Sequence, residues 1–436
     1  MAIGSPSSNK ALLASGSPDA TRDERRTTVR HRLDVRRFQK ALRVVAVLSV
    51  AATLAIAIDH AVMDHEVDFS VYLMGARQVF TGHLYTTFLA SPKKPFTYPP
   101  VAALLFIPFR AVPQIPAQVI WAVISTILLI GFLMCSLRAV RPNWPRSEAI
   151  LWSCILSLPA LELNPVALTF GFGQVNVLLG LLVLADLTGE YTLKGRTIPR
   201  GVMTGIAAAI KVTPLVFVPF LFATKQFRAG WTALITFVGC AVVMFAVAPG
   251  ESWSYWTKYL FDAKRVGGVV YISNQSLRST IVRFSHAHAS EHAIVLVVAL
   301  TGIAGLSVAI WAYRVSSPLL GILVCAVTGL LVSPITWAHH LVWVVPIVLW
   351  LVLGADRPAF GRLWAALVAG LFWYGAIWHV PHGSARELHD TVAQLIEGNS
   401  YTIAMVVFVI GVAVMLTLRR SPQTSKKGEL LRSGVR

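Results

Sequence analysis

The chain has 436 residues, of which 56% are hydrophobic and 13% charged, with a mean hydropathy of +0.66. This excludes a water-soluble globule. Its long continuous apolar runs, each near the roughly 20 residues that cross a bilayer core, also exclude a β-barrel, whose strands alternate. The formal charge of +18 does not mark a nucleic-acid surface, because the basic residues punctuate the ends of apolar segments in the positive-inside pattern.

In chain order, residues 1–40 read as a disordered basic cytoplasmic tail, rich in Ser and Arg and poor in large apolar side chains. A span at about 42–63 carries the chain outward to a loop, 64–98, that holds Asp64, Glu66 and Asp68. Phe69, Tyr72, Leu73 and Met74 in that loop give the pattern of an interfacial helix. A re-entrant or interfacial helix is expected at 99–113, and spans at 116–138, 149–163 and 174–188, with Asn164 to Gln174 at the outer face.

Residues 201–224 contain Lys211, Thr213 and Pro214 in mid-run. An intramembrane Lys with a nearby Pro suits two short helices meeting at a polar break; a single kinked span is the alternative. A span at 230–249 leads to an outer loop, 250–292, with Trp253, Tyr255, Trp256 and Tyr259 suited to headgroup level. Spans follow at 293–313, 317–336, 339–354, 361–380 and 401–418, with a further outer loop at 381–400.

Arg138, Arg141, Arg146, Lys194, Arg196, Arg200, Lys225, Arg228 and the basic 419–436 tail mark inner turns. The sum is an all-α polytopic membrane protein of about twelve crossings with both termini cytoplasmic. Residues 41–418 form one membrane domain without an internal repeat, against the inverted-repeat plan of many transporters. The four cysteines, Cys135, Cys154, Cys240 and Cys325, lie far apart in apolar runs, against a disulfide framework or a zinc site.

This topology puts five polar groups on one side: Asp68; Gln174 with Asn176; Lys211; Asn274, Gln275 and Arg278; and Trp337 with His339 and His340. Polar groups in or beside hydrocarbon are costly and line functional cavities. Asp68 suits either a solvated helix-capping acid or a general base toward an attacking hydroxyl. His339 and His340 are either half-satisfied interfacial residues or partners of a phosphate. Their adjacency, with no third ligand, argues against a metal pair. Lys211, Arg278 and Arg283 are cations able to hold an anionic leaving group. Asn274 and Gln275 also suit plain turn roles. Chemistry alone thus leaves two classes open, group transfer from a lipid phosphate and transport of lipids or anions.

The ordered motifs Asp68-Phe69-x-Val71-Tyr72, Phe96-Thr97-Tyr98-Pro99-Pro100, Gly173-Gln174-Val175-Asn176, Ile210-Lys211-x-x-Pro214, Asn274-Gln275-Ser276 and Ser333-Pro334-x-x-Trp337-x-His339-His340 resemble the GT-C glycosyltransferases of family 87. Within that family the chain is most similar to the mycobacterial α-(1→2)-mannosyltransferases of phosphatidylinositol mannoside and lipomannan synthesis. The resemblance implies a GT-C fold in the plasma membrane and a polyprenyl phosphate mannose donor. It implies a mannosylated phosphatidylinositol acceptor, an inverting reaction at the extracytoplasmic face and no obligatory metal or other cofactor.

The implied catalytic residues are Asp68 and either His339 or His340. Lys211, Arg278, Asn274, Gln275, Gln174, Asn176, Tyr98 and Trp337 are the implied substrate contacts. Lipomannan branching and arabinofuranosyl transfer from polyprenyl phosphoarabinose are the neighbouring alternatives.

Overall fold

A computed structural model describes residues 18–63, 67–90, 93–189, 191–193 and 195–433. Asp64, Glu66, Lys194 and the first part of the N-terminal tail lie outside the described residues. Apart from one hairpin that pairs Thr192 with Thr197 and Leu193 with Arg196, and isolated bridges, the regular structure is helical.

Helix α1, Pro18–Met63, runs unbroken. Residues 18–40, expected as disordered tail, are therefore the first turns of the first helix; no Gly or Pro after Pro18 interrupts that stretch. Short α2, Val67–Gln78, turns the apolar side chains expected at an interface into the protein. Phe69, Tyr72, Leu73 and Met74 are buried, because Phe106, Phe109 and Trp121 offer an aromatic bed: the Phe69 ring lies 5.7 Å from both phenylalanines and 6.1 Å from Trp121. The 99–113 segment reduces to α3, Pro100–Leu105, and a 3-10 turn at Ile107–Phe109. Six helical residues rise only about 9 Å, far short of a bilayer.

Helix α4, Gln114–Val140, is the most enclosed of the long apolar helices, half of its apolar window being buried. Helices α5, Arg146–Leu161, and α6, Asn164–Gly171, form one run bent by 84°. After α7, Asn176–Thr188, helix α8, Val202–Ile210, stops at Lys211. Lys211 is extended (φ −147°, ψ 125°), and a 3-10 turn at Thr213–Val216 leads into α9, Phe217–Ala223. The break read from Lys211 and Pro214 is therefore present as two short helices.

Helix α10, Phe227–Val247, leads to the short helices α11, Pro249–Thr257, α12, Ala263–Val266, and α13, Leu277–Phe284. Of the aromatics expected at headgroup level, Trp253 is exposed but Tyr255 is buried, stacked 5.8 Å from Tyr85. The chain continues through α14, Glu291–Val315, and α15, Pro318–Val332; a 3-10 segment at Ala338–Trp343 enters α16, Val344–Leu353. Last come α17, Gly361–Tyr374, α18, Val392–Gly398, and α19, Ser400–Ser433, which carries the expected C-terminal tail on as helix.

Five of the described helices are long and apolar enough to cross a membrane, and the bent α5–α6 pair makes six. Four further apolar helical segments of 10 to 17 residues, Asn176–Thr188, Thr213–Ala223, Pro318–Val332 and Ala338–Leu353, are shorter than a full crossing. In α10 and α14 only 17% of the apolar window is buried, and Ile235, Val242, Leu300 and Ile303 face outward. Such helices are stable with hydrocarbon, not water, against that face. The protein is an all-α membrane protein whose enclosed centre is α4, α7, α15 and α16.

Candidate active site

The first turn of α2 is pinned to the end of α6. The backbone N–H groups of Asp68 and Phe69 both donate to the Phe172 carbonyl, at 3.1 and 3.0 Å. Gly173 follows with φ +65°, a left-handed conformation that glycine adopts freely. That turn carries Gln174 back beneath Asp68. The Gln174 amide nitrogen donates to Asp68 Oδ2 at 2.7 Å and lies 3.0 Å from Tyr98 Oη, while its oxygen accepts from Tyr72 Oη at 2.9 Å. Gln174 is therefore spent on protein partners. No donor among the described residues reaches Asp68 Oδ1.

Asp68 lines a cleft of about 650 Å³ together with Tyr98, Gln174, Trp337 and His339, roomy for a drug-sized ligand. Burial raises the Asp68 pKa above the usual carboxylate value; the Gln174 hydrogen bond and the positive charges of Lys94 and Lys211 oppose the rise without cancelling it. A carboxyl raised in this way is a stronger base once ionised.

The 3-10 segment Ala338–Trp343 supplies both histidines, and they face different ways. Thr169 Oγ1 donates to the His339 carbonyl at 3.0 Å, tying this segment to α6. His339 lines the cleft, stands edge-on to Phe172 at 5.5 Å, and neither of its buried ring nitrogens has a partner among the described residues. His340 Nε2 lies 2.8 Å from Lys211 Nζ, which also donates to Asn176 Oδ1 at 3.1 Å. Lys211 Nζ stands 5.7 Å from the Tyr98 ring and, with Asn176 and His340, lines a smaller cavity of about 50 Å³. The Asn176 side-chain nitrogen is buried without a partner among the described residues. Unpaired buried polar atoms are uncommon in folded proteins and call for a reason.

Three expected contacts are used otherwise. Arg278 forms an exposed ion pair with Glu291, far from burial. Asn274 Oδ1 accepts from the N–H groups of Ser276 and Thr336, and the Gln275 amide donates to the carbonyls of Ile272 and Gly398. Asn274 thus stitches the loop after α12 to the Trp337 segment, where Asn274 and Trp337 form a β-bridge, and Gln275 ties it to Gly398 and Thr402. Arg283, read as a possible anion holder, is fully buried and donates to the carbonyls of Val270, Tyr271 and Asn274 and to Asn399 Oδ1.

Sequence reasoning missed Lys94, Arg265, Tyr271 and Trp378, all of which line the cleft. Arg265 donates to the Tyr85 and Phe96 carbonyls, stapling the outer loop that ends at Tyr98. Its nearness in sequence to the aromatics of α11 was the available signal. Among the described residues no group of three His, Cys, Asp or Glu side chains is placed to hold a metal ion.

The family model of glycosyltransferase family 87 matches residues 96–334, more than half of the chain. The chain belongs to glycosyltransferase family 87. The stretch matched by the family 87 model contains Tyr98, Gln174, Asn176 and Lys211, while Asp68, Trp337 and the two histidines flank it.

Relatives extend the likeness. A polyprenol-phosphate-mannose-dependent alpha-(1-2)-phosphatidylinositol mannoside mannosyltransferase of Mycobacterium tuberculosis is 31% identical over 388 residues, 83% of this chain and 87% of the relative. A polyprenol-phosphate-mannose-dependent alpha-(1-2)-phosphatidylinositol pentamannoside mannosyltransferase of the same species is 33% identical over 77% of this chain and 79% of its own length. The protein of that latter name from Mycolicibacterium smegmatis is 32% identical, over 77% and 83%. No solved structure matches the chain.

Proposed function

We propose that this family 87 member transfers mannose from polyprenyl phosphate mannose to the 2-hydroxyl of a mannosylated phosphatidylinositol. The linkage made is α-(1→2), formed by inversion at the extracytoplasmic face of the plasma membrane, with both termini of the chain cytoplasmic. The observation that carries the reading is the division of labour within one carboxylate: Asp68 Oδ2 is held by Gln174, and Oδ1 remains available on the cleft shared with His339. The names of the relatives support the choice of mannose and of a phosphatidylinositol mannoside.

In the proposed reaction Asp68 Oδ1 takes the proton of the acceptor hydroxyl. That oxygen attacks the anomeric carbon as the bond to the phosphate oxygen breaks, and the lipid phosphate leaves with the electron pair. Developing charge on the phosphate falls to side chains rather than to a metal: Lys211, held by His340 and Asn176, supplies positive charge. His339, whose ring nitrogens have no partner among the described residues, donates to the substrate. The test is transfer by purified protein, with donor and acceptor panels and the product linkage resolved: α-(1→2)-mannosylation is expected, and arabinose transfer, or lipid flux without sugar transfer, would replace the reading.

A further inference from the structure

Tyr271, Trp337 and Trp378 line the same cleft as Asp68. All three rings are at least partly open, Tyr271 being 37% exposed. Large aromatics gain most from being covered, and other aromatics of this protein are: Tyr72 and Phe106, for example, are fully buried and stack at 4.5 Å. The wall rings are not stacked in this way: Tyr271 and Trp337, 6.2 Å apart, and Trp378 and His382, 5.5 Å apart, meet edge to face. The Tyr271 hydroxyl has no partner among the described residues.

The backbones beneath these open rings are fixed. Buried Arg283 holds the carbonyls of Val270, Tyr271 and Asn274 at 3.3, 3.1 and 2.9 Å. The Ala338 N–H donates to the Ser273 carbonyl at 2.8 Å and the Gln275 N–H to that of Thr336 at 2.6 Å, locking the Tyr271 loop to the Trp337 segment. Gly267 makes room for the indole of Trp337: its φ is +150°, and a Cβ there would lie 2.5 Å from that ring. Trp378 Nε1 donates to Asn164 Oδ1 at 3.1 Å. Rigid backbone under open rings gives contact area at little entropic cost on binding. The wall lies in a concave cleft shared with the Asp68 carboxylate and the His339 imidazole, a setting that serves a ligand and not a headgroup anchor.

We propose that Tyr271, Trp337 and Trp378 form a sugar-stacking wall, on which a pyranose ring of one substrate lays its C–H face while its hydroxyls reach toward Asp68 and His339. This rests on the glycosyl-transfer reading above. Either substrate can supply the ring, since donor and acceptor both carry one in that reading.

The experiment uses full-length protein in detergent, as wild type, Tyr271→Leu and Tyr271→Phe. Saturation-transfer NMR with α-1,2-mannobiose as the probe needs no turnover. The wild type is expected to saturate the sugar ring protons, Tyr271→Leu to lose that response, and Tyr271→Phe, which keeps the ring, to retain it. Steady-state kinetics then name the source: a rise in KM of up to about tenfold in Tyr271→Leu, the upper end for an aromatic contact, for the acceptor or for the donor identifies whose sugar lies there. Trp378→Leu is expected to act alike, and is the second variant should Tyr271→Leu fail to fold. Unchanged mannobiose saturation and unchanged KM values in the folded Leu variants would overturn the proposal. A wild type that binds mannobiose by these rings but transfers no mannose would overturn the function and leave the wall.

Discussion

The amide of Gln174 donates to one oxygen of Asp68 at 2.7 Å while its own carbonyl is held by Tyr72 at 2.9 Å. This pair sets both which carboxylate oxygen faces the cleft and how basic it is. Gln174, itself on the cleft lining, thus holds the carboxylate through hydrogen bonds to the protein.

Replacing Gln174 with Leu removes the bond that opposes the burial-driven rise of the Asp68 pKa. The acid limb of the kcat–pH profile is expected to move to higher pH, with kcat down by about tenfold or more and donor KM little changed. Tyr72→Phe, which frees the amide to turn, is expected to show the same shift in smaller measure. Overlapping profiles would remove Gln174 from this role.

The same shift has a consequence for stability. The Asp68 pKa is higher in the folded protein than in the unfolded chain, so the folded state binds more protons between the two values. Stability contributed here falls as pH rises through that window. Asp68→Asn is therefore expected to be at least as resistant to unfolding as wild type at neutral pH, measured as a thermal midpoint. A lower midpoint would show that the carboxylate is a structural anchor.

Lys211 Nζ sits 2.8 Å from His340 Nε2. With Lys211 as an ammonium, which only donates, the imidazole accepts at Nε2 and carries its proton on Nδ1. Lys211→Met is expected to cut kcat by about a hundredfold, and His340→Ala by less, because Asn176 still holds the lysine. If His340→Ala proves the more damaging while His339→Ala is mild, the phosphate contact belongs to His340.

Much of this site was legible before the fold. Lys211, Gln174, Asn176 and the two histidines stand out because a polar side chain in an apolar run is costly, and the structure gathers them around Tyr98. In the polar outer loops that contrast vanishes. Arg278, Arg283 and Arg265 look alike there, yet one forms a surface ion pair, one is a buried scaffold and one lines the cleft. Tyr271 and Trp378 were hidden because only the fold of two distant loops brings them together. The short α3 and the bent α5–α6 run show the related limit, that hydropathy counts residues and does not see where a helix turns.

Arg283 gives the scaffold reading its own check. Burial pulls its pKa down to about 10, still cationic at neutral pH. Arg283→Met leaves Asn399 and three loop carbonyls without their donor, and a loss of about 3 kcal/mol or more is expected for a broken buried charged network. Unfolding monitored in detergent should show it; a variant of normal stability but poor donor binding would return Arg283 to the substrate.

The most direct measurement of the central claim is mannosyl transfer by wild type beside Asp68→Asn, both shown to be folded, with polyprenyl phosphate mannose and phosphatidylinositol mannosides, the products resolved by mass and linkage. The account predicts a new α-(1→2)-mannose from the wild type and a fall of about 10²-fold or more in the variant. Near-normal transfer by Asp68→Asn would contradict the role of Asp68 as the base.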